Sequence, residues 1–284
     1  MPNPKIIGPY AEHIPGPHST MEYGSYYEKA VRLPFDKTAD RMIRVWLPPH
    51  YFESDERYPV LYMSDGQNLV DRELSAYGDW HLDKAVNQLM NEGYPGVILV
   101  GIDCPKDPLR RTKELNPPFS TKDGRREIRD PYGHLYINYI IKALKPEIDA
   151  LFRTKPDLPH TGIGGSSMGG IMAFHAYMAY PQAFGFSLAF SIPTFFYHKK
   201  VWEYFIDRYW HFDPNTTRKL AMWVGGSGFE KRFNPGNHWI HEHLLKRGMN
   251  DSNLHFATDP SLPHHEEAWA DNSYDALRFW LKDC

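Results

Sequence analysis

A chain of 284 residues with 42% hydrophobic and 24% charged residues can bury a full core, as one large α/β domain or two small ones. Its net charge of -3, with no basic run or basic-aromatic stripe, excludes a polyanion-binding surface and so a nucleic-acid partner. No stretch is apolar for long enough to span a membrane, and the two cysteines, Cys104 and Cys284, form neither a disulfide framework nor a metal-ligand spacing.

Residues 1–20 are proline-rich with little periodicity and read as an arm over the surface; residues 21–284 read as a single domain. The opening Met1 to Tyr10 lacks the apolar run of a signal peptide, so a cytoplasmic protein is expected, with a trimmed leader left open. Two antiparallel strands follow, Ser25 to Leu33 and Asp40 to Leu47; the second alternates Ile43, Val45 and Leu47 against Arg44. Val60 to Met63 and Val97 to Ile102 are buried-strand runs on either side of a helical stretch from Leu82 to Met90. Lys106 to Gly133 is polar, with too little periodicity for an element and too much length for a connector, and reads as a functional or mobile loop, with its being a lid left open.

Ile137, Ile141, Leu144, Ile148 and Leu151 recur at helical steps, with Pro146 inside predicting a kink or break. Strands are expected at Phe186 to Phe190, Leu220 to Val224 and Leu254 to Ala257, with helices at Lys199 to Tyr209, His238 to Lys246 and Glu267 to Leu281. This alternation predicts a mainly parallel sheet covered by helices on both faces, with antiparallel strands at its N-terminal side. Right-handed crossovers then bring the loops after the strands to one edge, where ligands bind.

Gly165-Ser166-Ser167-Met168-Gly169 stands between a short apolar stretch, Thr161 to Gly164, and a helical run from Gly170 that stops at Pro181. Strand, tight turn and helix are the surroundings a nucleophile elbow needs, with Ser167 at its apex and the Met168 amide aimed at the reacting carbonyl. A serine hydroxyl needs a base within hydrogen-bond reach, held by a buried acid, and in this architecture both come later in the chain, each after a strand. After the last strand stand His264 and His265, of which His264 is the candidate base. After Val224 the first carboxylate is Glu230; its competing reading is a solvated glutamate beside Lys231 and Arg232, with Asp251 and Asp259 as the other candidate acids. The loop after Val60 to Met63 offers the second oxyanion donor at Gln67, with Gly66 allowing close approach. Trp80, Phe195 and Trp202 lie in or near loops that follow strands and either line the substrate pocket or pack in the core. His238, His241 and His243 lack zinc geometry, and there is no phosphate-binding Gly-Lys loop, so neither metal nor cofactor is expected.

Several stretches together resemble a known group. They are Tyr62 to Asp71, Arg111 with Glu114 to Pro117, Leu144 to Asp149, the elbow, and His264 to Trp269. The combination is similar to the esterase family of α/β-hydrolases that holds feruloyl and acetyl-xylan esterases, enterochelin (siderophore) esterases, S-formylglutathione hydrolases and mycolyltransferases. The resemblance covers about Tyr26 to Lys282. It implies an α/β-hydrolase fold, Ser167 as nucleophile, His264 as base and an acid just after the Val224 strand, although related sequences often carry that carboxylate nearer the strand than Glu230. The function it implies is a serine carboxylesterase acting on a feruloyl- or acetyl-type ester of a sugar or aryl alcohol. A siderophore or lactone esterase is the alternative, and a non-catalytic hydrolase-fold binding protein the third reading. The partner is then a small-molecule or oligosaccharide ester; subunit number, a homo-oligomer included, is left open.

Overall fold

The alternation of apolar strands and helices is realised in the computed structural model, which describes residues 6–118, 130–211, 213 and 215–284. In chain order the strands and helices are β1 (Ile6–Ile7), β2 (Tyr10–His13), β3 (Ser25–Leu33), β4 (Asp36–Leu47), β5 (Val60–Ser64), α1 (Leu82–Asn91), β6 (Ile98–Ile102), α2 (Pro108–Glu114) and α3 (Gly133–Tyr139). They continue with α4 (Lys145–Leu151), β7 (Thr161–Ser166), α5 (Met168–Ala179), β8 (Phe186–Phe190), α6 (Lys199–Tyr209), β9 (Lys219–Gly225), α7 (Asn234–Lys246), β10 (Leu254–Asp259) and α8 (Glu266–Leu281).

Three stretches differ from the sequence expectation or sharpen it. The segment Lys106 to Gly133 is not all loop, because it contains α2; residues 119–129 lie outside the described residues. Seven residues are too few to show a period, but the helix is well started: Pro108 opens it and the Asp107 carboxylate accepts from the Leu109 amide at 2.9 Å. Pro146 is absorbed by a π-helical turn, Ile140–Leu144, between α3 and α4. A turn widened by one residue makes room for a ring that would otherwise press on the preceding turn. The N-terminal arm supplies β1 and β2, which pair antiparallel with each other and with β3.

The chain divides into two compact units: Met1–Pro105 with Asn138–Thr161 and His265–Cys284, and Lys106–Ile137 with Gly162–His264. In the first, the strands run in the order β1-β2-β3-β4-β6-β5. Pairing is antiparallel as far as β4 with β6 (Ile43 opposite Ile102, Val45 opposite Val100) and parallel between β6 and β5. Buried carboxylates hold the segment after β2. Asp71 accepts from the Ser19 hydroxyl at 2.7 Å, Asp79 from the Thr20 hydroxyl at 2.6 Å, and Asp83 from the Glu22 amide at 2.8 Å. Burial pushes the Asp83 carboxyl up, and the Glu22 and Tyr23 amides it accepts from are what keep a carboxylate tolerable there.

In the second unit β7, β8, β9 and β10 lie side by side, all parallel. Ser166 is opposite Phe190, Phe190 opposite Trp223, and Gly225 opposite Asp259, so the strands end along one edge and the residues after them emerge there together. Helix α5 is buried from Gly169 to Met178 on every side and therefore has no amphipathic stripe. His175 lies inside it, and burial, with His134 nearby, pushes its imidazole down to about 3, so it stays neutral.

Candidate active site

Ser167 sits between β7 and α5 with φ 56 and ψ −124, a backbone conformation that costs a non-glycine residue about 1–3 kcal/mol and persists only where its surroundings enforce it. They do. Its amide donates to the Phe190 carbonyl at 3.0 Å, and its carbonyl accepts from the Ile171 amide at 3.1 Å. A Cβ on Gly165 would stand 2.8 Å from the Gly169 carbonyl carbon, and one on Gly170 would stand 2.4 Å from the Phe190 oxygen. The glycines around the serine are thus what lets strand and helix meet at so sharp an angle. Met168 opens α5, so its amide is one of the N-terminal donors with no partner inside the helix.

Glu230 and His264 are brought together. The Glu230 side chain is completely buried, and its Oε2 accepts from His264 Nδ1. The other oxygen, Oε1, accepts from the Gly225 amide at 3.2 Å and the Ser191 hydroxyl at 2.5 Å. Three donors therefore fix the carboxylate. Its depth comes from the glycines before it: Gly228, at φ 55, turns the chain into the short 3-10 helix Gly228–Arg232, which points Glu230 inward. Gly225 and Gly226 admit the histidine loop. A Cβ on the first would stand 2.4 Å from the Leu262 oxygen, and one on the second 2.6 Å from Pro260 Cα. The Leu262 carbonyl accepts from the amides of both Gly226 and Ser227 at 3.1 Å. This Gly-rich stretch is what brings the Glu230 and His264 loops into contact.

The other candidates are placed differently. His265 caps α8, its Nδ1 accepting from the Glu267 amide at 3.4 Å. Asp259 holds its own turn, accepting from the Ser261 hydroxyl at 2.6 Å and amide at 2.8 Å; these donors, the hydroxyl first, hold its carboxyl below the usual carboxylate range. Asp251 is exposed. His238 and His241 pack against Phe256, and His243 stacks on Trp239 and bonds Asp207. Among the described residues no group of three or more His, Cys, Asp or Glu could hold a metal ion.

Trp80 and Trp202 take the packing role of the two the sequence left open. Trp80 is 3% exposed against Trp269; Trp202 is 1% exposed, donating to the Thr194 carbonyl at 2.8 Å and packed on Phe174 and Tyr197. Phe195 is half-buried, edge-on to Phe233, whose ring lies 4.4 Å from that of His264. Gln67 stands in a 3-10 turn whose Gly66 is pressed to the backbone of Gly101, where a Cβ would come within 2.6 Å. Its side-chain oxygen accepts from the Cys104 amide at 3.1 Å, which steadies that turn.

Ser191 was not singled out by sequence reasoning, though the signal was available: it is the first residue after β8 on the edge where Ser167 follows β7. It is fully buried, has φ 49, and its amide donates to the Trp223 carbonyl at 2.7 Å while its hydroxyl meets Glu230. Ser191→Ala should lower kcat roughly tenfold, the weight of one hydrogen bond to a charged group. KM should be little changed. A purely structural serine would lower the melting temperature and leave kcat within about twofold of wild type.

The family pattern described as "Putative esterase" matches residues 38–260. The uncharacterized protein YbbA of Bacillus subtilis (strain 168) is 23% identical over 252 residues, covering 86% of this chain and 94% of its own. Among solved structures, an IroE-like serine hydrolase from Shewanella oneidensis superposes with a TM-score of 0.69 at 21% identity, covering 91% of this chain and 80% of that one. The ferulic acid esterase AmCE1/Fae1A from Anaeromyces mucronatus, solved with ferulic acid, gives 0.63 at 16% identity and covers 96% and 97%. These likenesses establish the fold, and the family match extends over the elbow and Glu230 and ends at Pro260, just short of His264. The chain belongs to the "Putative esterase" family: it is an α/β-hydrolase, and its class of activity is ester hydrolysis.

Proposed function

We propose that this esterase is a serine carboxylesterase that cleaves a feruloyl- or acetyl-type ester of a sugar or aryl alcohol through an acyl-enzyme. The observation that carries the reading is the contact between His264 Nδ1 and the buried Glu230 carboxylate. A carboxylate only accepts, so Nδ1 carries the hydrogen and Nε2 is the ring's acceptor nitrogen. Ser167 Oγ attacks the acyl carbon as its proton passes to Nε2, and the carbonyl oxygen takes the negative charge beside the Met168 amide. The tetrahedral intermediate collapses, the imidazolium returns the proton to the departing alkoxide, and the alcohol leaves. Water then attacks the acyl-enzyme with its proton again going to Nε2, and collapse releases the acid and restores the Ser167 hydroxyl.

A siderophore-type trilactone is the second reading, favoured by the exposed ring of Phe229 edge-on to His264 and by the exposed cations Lys231 and Arg232 that follow it in the chain. The test runs 4-nitrophenyl acetate, methyl ferulate, acetylated xylan and a catecholate trilactone side by side, with fluorophosphonate labelling mapped by peptide mass. The expected result is a label on Ser167 and highest kcat/KM on a feruloyl or acetyl ester. A trilactone preference would move the assignment to the second reading. No turnover and no label would end both.

A further inference from the structure

The turn Gly228–Arg232 buries Glu230 and turns its other side chains outward. Phe229 is 58% exposed, and Lys231 and Arg232 are exposed next to it in the chain. Phe229 stands edge-on to the His264 ring, 5.8 Å between centroids and 88° between planes. The Arg232 guanidinium lies 4.1 Å over the Phe195 ring, and Phe195 leads through Phe233 back to His264. Phe229, Phe233, Phe195 and the Arg232 guanidinium thus form one run of ring contacts beside the imidazole. That imidazole must hand its proton to the oxygen that departs, so whatever flanks it meets the alcohol part of the ester rather than the acyl part.

We infer that Phe229 and Arg232 form a leaving-group subsite for an aromatic ring carrying an anionic substituent, so that the preferred ester is one whose alcohol part is an acidic aryl group. This rests on the serine-esterase reading and names the substrate class for it. The ring stacks on or against Phe229, and the guanidinium, already held flat by Phe195, meets the anion with little further ordering.

Two esters with the same acetyl group test it: 4-acetoxybenzoate, whose leaving group carries a carboxylate, and 4-acetoxybenzamide, its neutral counterpart. The readout is the ratio of their kcat/KM values. Arg232→Gln should lower that ratio roughly fivefold, the size expected of one partly exposed ion pair, and Arg232→Lys should restore most of it. The wild-type ratio should also shrink as salt is raised, since exposed charges are screened. Phe229→Ala should lower kcat/KM for both aryl esters more than for ethyl acetate, whose leaving group has no ring. A ratio unmoved by Arg232→Gln, or a Phe229→Ala loss equal for ethyl acetate and the aryl esters, overturns the subsite. If 4-nitrophenyl acetate is turned over and Ser167 labelled, that failure belongs to the subsite alone; with neither, the serine-esterase reading itself has failed.

Discussion

Ser167→Ala should remove roughly 10⁴ to 10⁶ of kcat and abolish fluorophosphonate labelling, while the protein still folds. The size follows from the role proposed for the hydroxyl: without it there would be no acyl-enzyme, and only the residual help of the oxyanion donor and of substrate binding would remain. Folding should survive because alanine keeps the Cβ that already occupies φ 56, so the backbone strain is carried over unchanged. The same reasoning gives the opposite sign for Ser167→Gly, which should also be inactive but melt at a higher temperature, as the strain of about 1–3 kcal/mol is released. Retained turnover in Ser167→Ala would mean another nucleophile. The neighbouring hydroxyls are poorly placed for that duty, since Ser166 is 7% exposed and Ser191 is fully buried against Glu230.

What the sequence made legible, and what it did not, divides by range of interaction. Phe186–Phe190 and Lys199–Tyr209 are found with the expected bounds, because a buried strand and an amphipathic helix announce themselves in consecutive residues. The elbow is equally local, a strand, a tight turn and a helix within about twenty residues. Helix α2 was missed because its seven residues make barely two turns, too few for an apolar pattern to recur, and its starting signal, Asp107 before Pro108, is shared with ordinary turns. The pairing of Ser191 with Glu230 joins residues 39 apart and depends on the register of β8 with β9, which no local pattern encodes. His264 and His265 are adjacent and chemically identical; they differ because one ring meets a buried carboxylate and the other caps α8. Trp80 and Trp202 are the general difficulty: an indole in a loop after a strand looks the same whether it will face a ligand or fill the interior.

Glu230→Gln should cost roughly 10⁴ in kcat, with KM little changed and folding intact. The substitution keeps the shape and most hydrogen bonds, so the loss must come from the tautomer of His264. A buried glutamine amide has two orientations. With its oxygen in the place of Oε1 it satisfies the Gly225 amide, which can only donate, and the Ser191 hydroxyl, which can do either. Its NH2 then faces His264 Nδ1 and donates to it, so the ring's hydrogen moves to Nε2, the atom proposed to accept the Ser167 proton. The reverse orientation would set NH2 against the Gly225 N–H, two donors with no acceptor between them in a fully buried place. The inactive tautomer is thus enforced by a backbone amide, and Ser191→Ala added to Glu230→Gln should not restore activity. Asp259→Asn is the matched control: an asparagine oxygen can still accept from Ser261, so kcat should stay within about twofold of wild type. Activity retained in Glu230→Gln together with a collapse in Asp259→Asn would move the acid to Asp259 and leave the Glu230–His264 contact as packing alone.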